Sequence, residues 1–230
     1  MDKKAVVLSS GGLDSTTAMA IAKNEGYDLY SITFIYGQRH SIEVERAGRV
    51  ANFFEVKKHI ILDMDLNMVQ SSSLTYDGDV PKDRDENNLA GEIPTTYVAG
   101  RNVIFLSIAL SWAETLGTGD IFIGATSVDY SGYPDCRPEF FKAFEDMANL
   151  AMKSSVTNKL TFKIHAPLLY LAKSQIIKKG LELGVDYSIT NSCYDPDKDG
   201  RPCGRCDSCK LRLKGFREIG IADPLTYKAM

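Results

Sequence analysis

The sequence predicts an α/β protein, a Rossmann-like parallel sheet with helices on both faces and a small C-terminal metal-binding segment. Three observations carry this. Short apolar runs alternate with stretches of helical spacing from Ala5 to Leu62. The first run ends in a Gly-Gly turn, and four of the five cysteines crowd between Cys193 and Cys209.

Ala5-Val6-Val7-Leu8 is short and apolar enough for a buried strand, and Asp14 to Lys23 follows with helical spacing. Leu29 to Ile35 is β-branched and aromatic and predicts a second buried strand, with a helix through Glu43, Ala47 and Val50 after it. Lys57 to Leu62 predicts a third strand. This alternation implies right-handed crossovers between parallel strands.

Periodicity fails over residues 63–100, a polar and charged stretch that reads as a functional lid or a disordered insertion. Asn102 to Leu116 returns to helical spacing, Ile121-Phe122-Ile123 predicts a strand, and Pro138 to Met152 a helix with proline in its first turn. Lys163 to Ala166 predicts the last strand, and Ser174 to Leu183 a helix stopped by Gly184. A short helix from Ser208 to Ile219 follows the cysteines. The expected division is an α/β domain over residues 1–185 and a metal-binding segment with a helix over 186–230.

The 230 residues are 44% hydrophobic and 25% charged, which excludes disorder as the default state. A formal charge of -3 disfavours a protein that lives by global attraction to nucleic acid. No run approaches a membrane span and the N-terminus lacks the pattern of a signal peptide, so a cytoplasmic location is expected.

Ser10-Gly11-Gly12-Leu13-Asp14-Ser15 follows a buried strand. Its glycines let the backbone turn so that amides and the next helix's N-terminus converge on one point, which attracts phosphate. Ser10, Ser15 and Thr16 add hydroxyls, and Asp14 either caps the helix or faces phosphate across a Mg²⁺ ion. Neither the Walker loop nor the dinucleotide fingerprint is matched.

Cys203-Xaa-Xaa-Cys206-Xaa-Xaa-Cys209 with Cys193 offers four soft ligands. Tetrahedral Zn²⁺ is the first choice, because four thiolates close the site, and an iron-sulfur cluster is the rival. Arg201, Arg205, Lys210 and Arg212 make the region locally basic, as a solvated face or as an RNA or phosphate contact.

Arg39 and His40 follow a strand's carboxyl end, where they reach a ligand or cap the next helix. Arg101-Asn102 stands before an apolar helix, for anion recognition or as a cap. Asp129 to Arg137 packs aromatics, carboxylates and a guanidinium into one loop and suits a planar heterocycle. Cys136 lacks an evident base, and His59 and His165 lie in apolar contexts that read as structural.

The strand, Ser-Gly-Gly-Xaa-Asp-Ser, helix arrangement is similar to the pyrophosphate loop of the ATP pyrophosphatase (PP-loop) superfamily, whose members cleave ATP between its α and β phosphates. Tyr36-Gly37-Gln38-Arg39-His40, Gly100-Arg101-Asn102, the Asp129 to Arg137 loop and the four cysteines narrow this. Together they resemble the 7-cyano-7-deazaguanine synthase family of queuosine biosynthesis over essentially the whole chain. Ala99 departs from the usual proline, and the nine residues between Cys193 and Cys203 are somewhat more than that pattern has.

The resemblance implies a carbon-nitrogen ligase, a homodimer, that turns 7-carboxy-7-deazaguanine and ammonia into the 7-nitrile through adenylated acid and amide. It implies ATP contacts from Leu8, Ser9, Ser10, Gly11, Gly12, Leu13, Asp14, Ser15, Thr16, Thr17, Ala18 and Arg39. Asp14, Arg101 and Lys173 would be catalytic. Asp129, Tyr130, Tyr133, Asp135 and Arg137 would line the deazapurine pocket, with Asp129 or Asp135 accepting its N–H edge. Cys193, Cys203, Cys206 and Cys209 would hold one structural Zn²⁺, and Mg²⁺ would accompany ATP. The competing expectations are a tRNA-thiolating or lysidine-type enzyme of the same superfamily, and a zinc-stabilised binding module without catalysis.

Overall fold

The computed structural model describes residues 3–37, 42–64, 66, 72–74, 79–84, 93, 95–128 and 133–228. Its frame is one five-stranded sheet, β1 (Lys4–Leu8), β2 (Asp28–Ile35), β3 (Lys58–Asp63), β4 (Asp120–Phe122) and β5 (Lys163–His165). The strands are parallel throughout and ordered β3-β2-β1-β4-β5.

Alternation along the strands builds the two cores. Val6, Leu8, Ile32 and Phe34 face one side and pack on Phe105 and Leu106 of α3 (Arg101–Leu116). The Phe34 and Phe105 rings stack with centroids 4.0 Å apart. Ala5, Val7 and Leu29 face the other side, against Ala18 and Met19 of α1 (Leu13–Asn24) and Val50 of α2 (Ile42–Phe53). Both faces are therefore covered: β1 is apolar from Ala5 to Leu8, and β2 buries Ser31 and Thr33 along with its apolar residues. The expected elements form within a residue or two of their expected bounds.

α4 (Pro138–Ala151) and α5 (Lys153–Val156) connect β4 to β5; α6 (Lys173–Glu182) follows β5, and then α7 (Asp207–Glu218), which packs on α6. Arg212 of α7 is fully buried. It donates to both Asp223 oxygens at 2.7 and 3.0 Å, to Thr190 Oγ1 at 2.7 Å and to the Tyr187 carbonyl at 3.0 Å. Losing one partner of so buried a pair costs about 3–5 kcal/mol, so this cluster holds the C-terminal segment against the sheet domain.

Much of the expected lid, 63–100, lies outside the described residues. The described piece 79–84 docks on the cysteine segment: Lys82 bridges Cys206, the Asp83 N–H donates to the Arg205 carbonyl at 3.0 Å, and Arg84 pairs with Asp207 at 3.1 Å. Leu74, Val80 and Val98 reach into the first core.

Candidate active site at the switch point of the sheet

The strand order reverses between β1 and β4, and the crevice outside their carboxyl ends is where an open α/β sheet admits a ligand. The loop after β1 occupies it. Gly11 has φ +71°, and a Cβ there would lie 2.5 Å from the Ala47 backbone nitrogen, so only glycine fits. Gly124, just past β4, comes as close from the other side, with a Cβ position 2.6 Å from the Ser15 nitrogen.

The N-cap residue of α1, Gly12, makes no side-chain cap hydrogen bond. Ser10 and Ser15 share a hydroxyl contact at 3.1 Å. Ser9 Oγ is buried without a hydrogen-bond partner among the described residues, a group a ligand would satisfy.

Two cavities open from this loop. One, of about 250 Å³, is lined by Leu8, Ser9, Ser10, Gly12, Leu13, Asp14 and Ser15 on one side, and by Thr33, Phe34 and Glu43 on the other. The second, of about 160 Å³, runs past Thr126, Tyr133, Cys136 and Lys173. They share Leu13, Asp14, Arg101, Gly124, Ser192, Tyr194 and Ser208 as walls.

The three residues expected to be catalytic meet at that junction. Lys173, first residue of α6, places its ammonium 2.7 Å from each Asp14 oxygen. Arg101, first residue of α3, donates to Tyr36 Oη at 3.4 Å. Burial opposes the Arg101 charge, but Tyr36, Tyr133, Tyr194 and Cys136 around it raise its hold on the proton.

Burial also pushes the Glu43 carboxyl up to about 7, against the pull of Arg101. The Cys136 thiol rises to about 11, through burial and then Asp135, so it is no thiolate nucleophile at neutral pH. Its Sγ instead accepts from Asn102 Nδ2 at 3.3 Å.

Other expected residues have different surroundings. Thr16 and Thr17 donate to the Gly12 and Leu13 carbonyls at 2.8 and 2.9 Å and, with Ala18, are buried within α1 away from both cavities. Tyr133 lines the second cavity with its hydroxyl 2.8 Å from Thr96 Oγ1. Asp135 accepts the Asn102 N–H at 2.9 Å and so caps α3 instead of facing a cavity. Arg137 is exposed and lines neither cavity. Arg39, Asp129 and Tyr130 lie outside the described residues.

The four thiols of Cys193, Cys203, Cys206 and Cys209 are buried, with all sulfurs within 4.8 Å of one another. The Cys193 sulfur accepts the Asp195 and Cys203 amides at 3.3 and 3.2 Å, and the Cys203 sulfur those of Arg205 and Cys206 at 3.4 and 3.3 Å. Buried sulfurs drawn together and surrounded by N–H donors suit thiolates around a metal ion, so the donor set fits one.

A phosphate loop at the switch point of a parallel sheet, with a lysine–aspartate pair beside it, defines a nucleotide-using α/β enzyme of the PP-loop class. Whole-chain comparison narrows the class. Residues 4–220 match the family described as "Queuosine biosynthesis protein QueC", and the chain belongs to that family.

A relative from Solidesulfovibrio magneticus is 57% identical over 226 residues, covering 98% of this chain and 96% of its own. Another, from Geobacter metallireducens, is 57% identical over 227 residues, covering 99% and 94%. Both are named 7-cyano-7-deazaguanine synthase, a carbon-nitrogen ligase.

Among solved structures, the NMN synthetase of Francisella tularensis aligns with TM-score 0.51 and 14% identity over 96% of this chain and 78% of its own. A predicted tRNA methyltransferase subunit of Methanocaldococcus jannaschii aligns with TM-score 0.50 and 16% identity over 99% and 92%. These likenesses show the fold. No helix among the described residues is long and apolar enough to cross a membrane.

Sequence reasoning missed Glu43, Asn191, Ser192 and Tyr194. Ser192 and Tyr194 flank a cysteine whose spacing drew attention to metal, and nothing local marks them as neighbours of the phosphate loop.

Proposed function

We propose that the chain is a 7-cyano-7-deazaguanine synthase, converting 7-carboxy-7-deazaguanine and ammonia to the nitrile with release of AMP and pyrophosphate. The observation that carries this reading is the meeting of two cavities at Asp14 and Arg101 beside the phosphate loop. A nucleotide in the larger and a planar acid in the smaller would present the α-phosphate to the carboxylate.

The carboxylate oxygen attacks the α-phosphorus and pyrophosphate leaves. Ammonia then attacks the acyl carbon, AMP departs and the nitrogen loses a proton, giving the amide. The amide oxygen attacks the α-phosphorus of a second ATP and pyrophosphate leaves; loss of AMP and of the two N–H protons then gives the nitrile. No protein nucleophile is required, which fits the protonated Cys136. Positioning and charge neutralisation are the protein's tasks.

In this reading residues Leu8 to Ser15 hold the phosphates, with Thr16, Thr17 and Ala18 backing the loop from within α1. Lys173 and Arg101 neutralise developing negative charge, and Asp14 orients the Mg²⁺ that accompanies ATP. Tyr133 walls the deazapurine lobe, while Arg39, Asp129 and Tyr130 keep their assignments on the sequence pattern and Arg137, exposed outside both cavities, does not. Asp135 positions Asn102 and Arg101 through the α3 cap.

Cys193, Cys203, Cys206 and Cys209 would hold one Zn²⁺, because four thiolates close a tetrahedral site and leave no open position. Residues 186–230 act as a metal-bound segment completing the α/β domain of 1–185. The working unit is a homodimer in the cytoplasm, with ammonia as nitrogen donor.

Mass spectrometry of a reaction with protein, Mg-ATP, ammonium and 7-carboxy-7-deazaguanine tests the activity, with pyrophosphate followed in parallel. Nitrile, AMP and pyrophosphate are expected. Unchanged acid in the presence of folded, metal-loaded protein overturns the substrate assignment.

A further inference from the structure

The chain just before Cys193 lies against the phosphate loop. The Asn191 N–H donates to the Gly11 carbonyl at 2.9 Å, and Ser192 Oγ accepts the Leu13 N–H at 3.1 Å. Leu13 opens α1, so a hydroxyl 179 positions away in sequence takes one of the helix's free amides.

That hydroxyl keeps its own proton. A serine oxygen accepting one N–H still has a donor to give, and among the described residues Ser192 makes no other hydrogen bond. It lines both cavities at the junction that also holds Asp14 and Arg101. Accepting from an amide polarises an O–H as a donor, and the negative partner that would use it is a phosphate oxygen.

The cysteine knot holds this serine from behind. The Cys193 N–H donates to Asn191 Oδ1 at 2.9 Å, Asn191 Nδ2 donates to the Gly200 carbonyl at 2.9 Å, and the Cys203 N–H reaches the Cys193 sulfur at 3.2 Å. Asn191 and Cys193 are both buried, so the backbone on either side of Ser192 is tied to residues around the thiols.

We propose that Ser192 is a further phosphate-binding residue, its hydroxyl held by the Leu13 amide and aimed at ATP where the two cavities meet. The metal-bound cysteines, through Cys193, keep it there. The inference rests on the reading of the chain as an ATP-using enzyme.

The test compares Ser192→Ala and Ser192→Thr with the wild-type holoprotein, measuring calorimetric binding of ATP and of adenosine and the melting temperature. Ser192→Ala is expected to weaken ATP by roughly 10- to 100-fold, the range for a lost hydrogen bond to a charged group, while adenosine binding is unchanged. Ser192→Thr, which keeps the hydroxyl, is expected to recover most of the ATP affinity.

ATP bound as tightly by Ser192→Ala as by wild type, or adenosine weakened as much as ATP, overturns the inference while leaving the proposed function standing. Wild-type protein that binds no ATP overturns both.

Hydrogen exchange before and after chelation reads the second link. Protection at the Leu13 amide is expected to fall while β1 and β2 stay protected. Unchanged protection at Leu13, or equal loss across the sheet, overturns the role given to the knot.

Discussion

Lys173 holds both oxygens of Asp14 at 2.7 Å, although the two residues are 159 positions apart and begin different helices. The pair is only part-exposed, 12% for the lysine side chain and 28% for the aspartate, so each charge neutralises the other beside the loop that follows β1. In the proposed reaction the phosphates of Mg-ATP would offer Lys173 a second anion, and the metal would offer Asp14 a second cation. The pair is preorganised to divide between them.

Lys173→Met is therefore expected to lower kcat/KM for ATP by about 100-fold or more, the scale for losing one charge-stabilising group. Asp14→Asn should do the same, and the double variant should be far less impaired than the product of the two, because they act as one unit. Pyrophosphate release across the three variants checks this.

Chelation is expected to destabilise a metal-loaded chain markedly, since the four buried sulfurs would be left as thiolates without the ion that offsets their mutual repulsion. Elemental analysis is expected to give one zinc per chain, without the visible absorption of a cluster. Cys206→Ser should lower metal content and melting temperature together.

Glu43 gives the stability a pH slope. Its carboxyl is pushed up to about 7 by burial, with Arg101 pulling the other way and Tyr36 a further titratable neighbour among the described residues. Between the ordinary carboxylate range and that value the folded chain holds a proton the unfolded chain has released, so stability falls as pH rises through the window. Glu43→Gln should remove this fall. Melting temperatures from about pH 5 to about pH 8 should show the variant gaining on wild type as pH increases.

Gly11→Ala should fail at the backbone. The positive φ and the 2.5 Å approach to the Ala47 nitrogen are expected to cost at least about 2 kcal/mol, a drop of roughly 4–8 °C in Tm. Thermal unfolding measures it directly.

The sheet was legible because the apolar run Ala5 to Leu8 and the β-branched and aromatic stretch Leu29 to Ile35 bury both faces, and the glycines and cysteines because few other residues meet those geometric demands. Asp14, Arg101 and Lys173 were named as separate residues; their convergence follows from crossovers that no local pattern encodes. Asp135 looked like a ligand group because a carboxylate among aromatics invites that reading, whereas here it satisfies the amide of Asn102. Ser192 and Glu43 gave no signal, since a serine or a glutamate beside a stronger motif acquires meaning only from what the fold brings opposite.

The bonds from Gly11 to Asn191, Leu13 to Ser192 and Thr17 to Tyr187 also set a timetable. During synthesis the partners of the phosphate loop follow it about 180 residues later, roughly 10–40 s at usual elongation rates. Until then β1 and α1 have no C-terminal segment to lean on, and the nucleotide pocket lacks a wall. A chain truncated before Tyr187 would thus lack this wall, and its capture of ATP is expected to wait for residues 187–192.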